Sequence, residues 1–251
     1  ERPLHLIVVS DDLAEFDHIH PELVAGDRYE VVHTFKHGGR YRLYADLTPP
    51  GSTQRIETFD LVIGGKPRAS MPLMADTIFV NKAGTNQTAW TKQEAGLRFR
   101  LVSQQPLRAG EDIELAITVS DAATSKAITN LEPYLGAWAH FVIIDRQKQN
   151  FIHAHPLETD PTISQLTSAH THGIQQSGPS PMEIRFLSGF PHPGLYKLWA
   201  QFQRDGQVIA QPFTLEVGAA QPSRAAAVEI PPNAIQPNAI RNDVIKITIG
   251  A

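Results

Sequence analysis

The chain has 251 residues, a formal net charge of −4, 41% hydrophobic residues and 19% charged residues. This composition supports a packed core and excludes wholesale disorder, and the lack of an extended basic block argues against a nucleic-acid partner. No apolar run reaches the roughly 18 residues of a membrane span. Because the sequence contains no cysteine, disulfides, thiolate metal sites and blue-copper ligation are excluded.

Short strands separated by turns are predicted along the whole chain. The first is the apolar run at residues 4–9, and alternating apolar and polar residues follow at 41–47, 113–119 and 195–202. Such alternation is typical of half-buried strands, and 19 prolines and 17 glycines interrupt the chain too often for long helices. The sequence therefore predicts an all-β fold of the sandwich type.

The chain contains an internal repeat. Three blocks recur in the same order: HLIVV with FDHIHP and then HFVII with FIHAHP, FKHGGRYRLYA and then FPHPGLYKLWA, FDLVIG and then FTLEVG. The second copy has upstream strands, at about residues 97–134, that the first copy lacks. We therefore expect two immunoglobulin-like β-sandwich repeats, of which the first lacks its opening strands.

This repeat predicts four regions. They are a first repeat at 1–66, a linker or edge segment at 67–96, a second repeat with a histidine-containing insertion at 97–218, and a Pro/Asn-rich tail at 219–251. The end of the tail, 243–249, resembles residues 112–119, which the first copy lacks. We hypothesise that it completes the first repeat, in the same chain or in a neighbour, which would build an oligomer or filament. The alternatives are a floppy tail and the stub of a third domain.

The histidines of the repeated blocks predict metal sites. His18 and His20 are two residues apart on a strand and so face the same way. A hairpin with its turn near residues 11–15 brings His5 opposite them, so that three imidazoles could converge on one ion. The candidate metal ligands of both repeats, including one further histidine each from the turn before a later strand, are His5, His18, His20, His37, His140, His153, His155 and His192.

The predicted metal is copper, with zinc as the alternative, because imidazole suits both and the affinity order favours copper. Glu22 and Glu158 are further candidates as oxygen ligands or as partners of the ligands. His170 and His172 lie in a Ser/Thr/Gln/Gly-rich insertion and are expected in a solvated loop. The competing interpretation is that the repeated histidines are hydrogen-bonded framework residues.

Residues 5–21 and 130–156 together resemble secreted or periplasmic bacterial β-sandwich proteins of the YtkA-like and FixH-like group. This resemblance implies an immunoglobulin-like fold, a location in the periplasm or at the cell surface, and a heavy-metal role. It implies no established activity and supplies no catalytic motif.

Three functions are compatible with these patterns. The first is a non-catalytic copper-binding protein outside the cytoplasm, with one site per repeat. The second is a structural or assembly protein connected through its C-terminal strand, and the third is a histidine-ligated metal enzyme. Since the sequence has no G-x-S-x-G, H-E-x-x-H or P-loop motif, we expect a protein that is not an enzyme.

Overall fold

The computed structural model describes residues 4–25, 28–47, 53–77, 79–80, 87–157 and 180–221. All regular elements in these ranges are β-strands, which confirms the predicted all-β fold. None of these residues belongs to a helix long and apolar enough to cross a membrane. Glu158, His170, His172 and the tail segment 243–249 lie outside the described residues.

The first repeat forms one antiparallel sheet and a small hairpin. Its strands are β1 (Leu4–Ser10), β2 (Phe16–Ile19), β3 (Glu22–Ala25), β4 (Arg28–Glu30), β5 (Gly39–Leu47) and β6 (Arg55–Ile63). Sheet I has the order β2-β1-β5-β6, and β3 pairs with β4. In the β1–β2 hairpin, Ile7 lies opposite His18. The turn closes with a hydrogen bond from Leu13 N–H to the Ser10 carbonyl oxygen, so the hairpin lies where the sequence predicts it.

The second repeat, together with the segment 67–96, has the same sheet and a further one. Its strands are β7 (Phe79–Val80), β8 (Thr88–Glu94), β9 (Leu97–Ser103), β10 (Asp112–Asp121), β11 (His140–Asp145), β12 (Phe151–Ala154), β13 (Ile184–Gly189), β14 (Gly194–Arg204) and β15 (Gln207–Val217). Sheet II, β12-β11-β14-β15, corresponds to sheet I. Sheet III has the order β13-β10-β9-β8-β7, so β7 and β8, from the segment 67–96, add to an edge of this sheet.

Sheet II lies between the other two sheets. All six residues of β11 are buried, because its alternating side chains enter two different cores. Phe141 and Ile143 belong to the larger core, shared with sheet III. Val142 and Ile144 belong to a smaller core that also contains Ile7 and other residues of sheet I. The first repeat therefore packs its inner face against sheet II.

The contacts between sheets I and II recur with the two copies exchanged. Phe16 stacks on Trp199 with ring centroids 4.6 Å apart, and Phe151 stacks on Tyr44 at 4.9 Å. Phe16 and Phe151 occupy matching positions of the repeat, and so do Tyr44 and Trp199. The packing of the repeats is therefore pseudo-twofold, and each copy presents the same surface to the other. The hydroxyl group of Tyr44 also donates to the Lys148 carbonyl oxygen across this joint, at 2.8 Å.

Candidate metal centre

The paired faces of sheets I and II carry histidines at one end. Ile7 points into the joint, and side chains two residues apart on a strand share a face, so His5 lies on the same face of β1. His18 joins them because it is the cross-strand partner of Ile7. In sheet II, Val142 is opposite His153 in the same way, and His140 precedes Val142 by two residues.

Three imidazole rings meet in each repeat. In the first repeat, the centroid separations are 5.0 Å for His5–His18, 5.1 Å for His5–His20 and 4.7 Å for His18–His20. In the second repeat, they are 5.5 Å for His140–His153, 4.8 Å for His140–His155 and 4.6 Å for His153–His155. The rings that the His-x-His spacing singles out thus lie in mutual contact on one side of each sheet.

The two triads adjoin and form one cluster instead of two separate sites. His5 lies 5.1 Å from His153 between ring centroids, and His18 lies 5.5 Å from His153 and 6.1 Å from His140. This placement follows from the pseudo-twofold packing, which brings the matching ends of β1 and β11 together. We refer to these six residues, His5, His18, His20, His140, His153 and His155, as the histidine cluster.

Two sets of histidines in this cluster could hold a metal ion. In each set, one ligand nitrogen per residue lies within 4.8 Å of the others. The sets are His5, His18 and His153, and His140, His153 and His155. His153 belongs to both sets. The first set therefore combines two histidines of the first repeat with one of the second.

In each triad, one histidine is oriented by a polar side chain on a strand of the other repeat. The Nδ1 atom of His18 lies 2.7 Å from Gln201 Oε1, and that of His153 lies 2.9 Å from Asp46 Oδ2. Gln54 donates to the other carboxylate oxygen of Asp46, at 2.7 Å. Asp46 is paired with His5 on the neighbouring strand, as Gln201 is with His140. The two orienting groups thus occupy matching positions but differ in charge.

Burial keeps His5, His18 and His140 neutral. Desolvation, followed by the charges of neighbouring histidines, lowers the pKa of His5 to about 2. Desolvation also lowers the pKa of His18 to about 4, and the pKa of His140 falls well below its usual value for the same reason. A neutral imidazole offers a lone pair to a metal ion without first losing a proton. These rings are therefore in the protonation state that ligation requires.

His37 and His192, expected as fourth ligands, lie at the other end of the sheets. His5 pairs with Asp46, whereas Ser10 pairs with Tyr41. Five strand residues separate these pairs, which is roughly 16 Å at the usual rise. His37 contacts Glu15 instead, with 2.7 Å between Nδ1 and Oε1. The sheet register places His192 in the same way, beyond the far end of β14 from Gln201.

Sequence reasoning missed three groups that act on the cluster. Asp46 and Gln201 could have been found, because each comes directly after a matched repeat block, in Tyr-Ala-Asp and Trp-Ala-Gln. The third is the carbonyl oxygen of Tyr134, which lies 2.8 Å from His140 Nε2. A backbone acceptor carries no sequence signal of its own. Glu22, expected near the metal, lies in β3.

A family model described as a domain of unknown function, DUF8832, matches residues 2–64 and 91–219. These ranges span both copies of the repeat and contain the whole histidine cluster. No curated protein matches the chain.

Proposed function

The chain belongs to the DUF8832 family, and we propose that it is a non-catalytic metal-binding protein outside the cytoplasm, with copper as its preferred metal. The observation that carries this proposal is the convergence of buried imidazoles, with two sets of three ligand nitrogens inside 4.8 Å. The histidine cluster would be the binding site, built by both repeats together.

Burying the histidine cluster without a bound ion has a free-energy cost. Burying its imidazoles removes their hydration, which is unfavourable unless other interactions replace it. A bound cation would use several lone pairs at once. The ligand set contains only nitrogen, since the chain has no cysteine, and for such a set the affinity order favours copper over zinc.

The location outside the cytoplasm rests on the resemblance to exported bacterial β-sandwich proteins. It agrees with a chain that relies on imidazoles alone and contains no thiol. Fractionation of cells that produce the native protein tests this part, with recovery among cytoplasmic proteins as the contrary result.

Metal titration tests the proposal directly. The full chain, stripped with a chelator, is titrated with Cu(II) and with Zn(II) by calorimetry, and bound metal is measured by elemental analysis. We expect tight binding that the variant His153→Ala weakens by at least tenfold, because His153 belongs to both ligand sets. The matched control is His37→Ala, which removes a histidine outside the cluster and should leave the affinity unchanged. A stripped protein that binds neither metal, or a His153→Ala variant with full affinity, contradicts metal binding.

A second candidate function is assembly, which the outer face of sheet I favours. In the second repeat, sheet III covers the corresponding face, and Phe213 is fully buried there. The matching Phe59 is 52% exposed. It lines a groove of about 930 Å³ together with Leu4, Leu6 and Leu43.

The proposed occupant of this groove is the segment 243–249 of a neighbouring copy, which resembles β10 in sequence. Such donation would link copies into an oligomer or filament. Light scattering of the full chain and of a variant ending at residue 221 tests it: we expect assembly only with the tail. A full chain that stays monomeric at all concentrations refutes donation between copies.

A further inference from the structure

We propose that the cluster seats one ion per chain, between His140 Nδ1 and His153 Nε2 with His155 as the third ligand, and that Asp46 is the positioning residue for this seat. This inference rests on the proposed metal binding and adds where the ion lies, how many ions bind, and which group of the first repeat controls the site.

The hydrogen bonds of His140 fix which of its ring nitrogens has the lone pair. Its Nε2 atom is 2.8 Å from the Tyr134 carbonyl oxygen. A carbonyl oxygen only accepts hydrogen bonds, so Nε2 must carry the proton of this ring. In a neutral imidazole the other nitrogen then has no proton. The lone pair of His140 is therefore on Nδ1, which faces His153.

The hydrogen bonds of His153 fix its lone pair in the same way. Its Nδ1 atom is 2.9 Å from a carboxylate oxygen of Asp46, which accepts and cannot donate. The opposite oxygen of Asp46 accepts from Gln54, which holds the carboxylate in place. Nδ1 of His153 is thus protonated, and its lone pair is on Nε2. Both facing nitrogens of His140 and His153 are acceptors.

Two nitrogens whose lone pairs face each other are placed as two ligands of one metal ion are. The two nitrogens are 3.3 Å apart, which is longer than the 2.8 Å between His5 Nδ1 and His18 Nε2 in the first repeat. Two ligands of a tetrahedral ion with Zn–N bonds of ~2.0–2.1 Å lie ~3.3–3.4 Å apart. The separation of 3.3 Å between His140 Nδ1 and His153 Nε2 agrees with this ligand spacing. His155 completes the set.

The matching pair of the first repeat has a different arrangement. His5 Nδ1 and His18 Nε2 are 2.8 Å apart, the length of an ordinary hydrogen bond. The Nδ1 atom of His18 faces the amide oxygen of Gln201, so Nε2 accepts a proton donated by His5. A proton therefore occupies this position, and the shared His153 cannot serve a second ion at the same time.

The difference between Asp46 and Gln201 strengthens the same assignment. A carboxylate that accepts from the remote N–H of a ligating histidine fixes its tautomer and increases its basicity, and losing such a partner costs about 10–100-fold in affinity. His153 has this charged partner, whereas His18 has a neutral amide. The negative charge of Asp46 also partly offsets that of the bound ion.

The test measures ring tautomers and zinc stoichiometry on the full chain. Long-range ¹H–¹⁵N spectra of the metal-free wild type should show His140 protonated on Nε2 and His153 on Nδ1. Native mass spectrometry and calorimetry with Zn(II) should give one ion per chain. His153→Gln should weaken binding at least 100-fold, and the matched variant His18→Gln by less than tenfold. Asp46→Asn should weaken it by about 10–100-fold, with an unchanged unfolding midpoint showing that the fold is intact.

Any of three results would refute this position of the ion without refuting metal binding. They are two zinc ions per chain, His140 protonated on Nδ1, or equal losses of affinity for His18→Gln and His153→Gln. A wild type that binds neither Zn(II) nor Cu(II) would instead overturn the proposed function. The tautomer measurement needs no variant, so it decides the hydrogen-bond argument even if a substitution prevents folding.

Discussion

The metal-free protein should lose much of its stability between pH 7 and pH 5. His5, His18 and His140 have pKa values lowered from 6.5, to about 2 and about 4 for the first two. In the unfolded chain they return to about 6.5 and bind protons that the folded state does not. The folded state is therefore destabilised as the pH falls below 6.5, down to each folded pKa.

The magnitude follows from the width of this pH window. One pKa unit corresponds to about 1.36 kcal/mol, so His5 and His18 each account for about 2 kcal/mol between pH 6.5 and pH 5. The sum for these two is about 4 kcal/mol, and His140 adds to it in the same direction. This loss is a large part of the ~5–15 kcal/mol that stabilises a typical domain. Bound metal should make the loss larger, because protons compete for the same nitrogens.

Urea unfolding with a chelator present, followed by circular dichroism at pH 7.5 and pH 5.0, measures this loss. The matched control is the double variant H37Q/H192Q, which keeps the histidine cluster and should lose as much as the wild type. The variant His18→Gln should lose less. If the wild type loses under about 2 kcal/mol over this range, which is the effect of a single buried histidine, the neutral cluster is refuted.

Three substitutions test the packing that creates the site. Trp199→Ala should cost about 3–5 kcal/mol of unfolding free energy and weaken metal binding, because it leaves a cavity between sheets I and II. The control Trp199→Phe should cost much less. Equal costs for the two variants would contradict the stacked arrangement of Trp199. Phe213→Ala should cost ~3–5 kcal/mol of unfolding free energy, measured with urea. Phe59→Ala, at the matching exposed position, should cost under about 1 kcal/mol. Equal losses would show that the outer face of sheet I is covered. Gly38→Ala should lower the midpoint of thermal unfolding, because its Cβ would lie 2.6 Å from a carbonyl carbon of the facing turn. Gly64→Ala serves as the control, since a Cβ there meets nothing within 4 Å. Equal midpoints for the two variants would contradict this close approach.

The local parts of the site follow from the sequence because they depend on the two-residue period of a strand. The spacing from His5 to His18 and His20 specifies a hairpin with three rings on one face, which the structure contains. The meeting of the two copies is harder to foresee. Its signal is the run Phe141–Ile144, where adjacent apolar residues indicate a strand buried on both faces. Without knowing the covering layer, such a run predicts burial but no partner.

The placement of His37 depends on distance along a strand as well as on its position in the repeat. Matching histidines in each copy suggest one common site, yet β5 carries the chain from one end of sheet I to the other before Asp46 is reached. Asp46 itself looks like a solvent-facing acid in an alternating strand. It is buried only because the second repeat packs over it.

The unequal pair Asp46 and Gln201 also bears on why the two copies share one polypeptide. Two identical subunits joined by the same twofold contact would carry the same residue at both positions, giving either two acids or two amides around the rings. Covalent linkage removes that constraint. One half can then supply the counter-charge while the other stays uncharged, which a strictly symmetric dimer could not achieve.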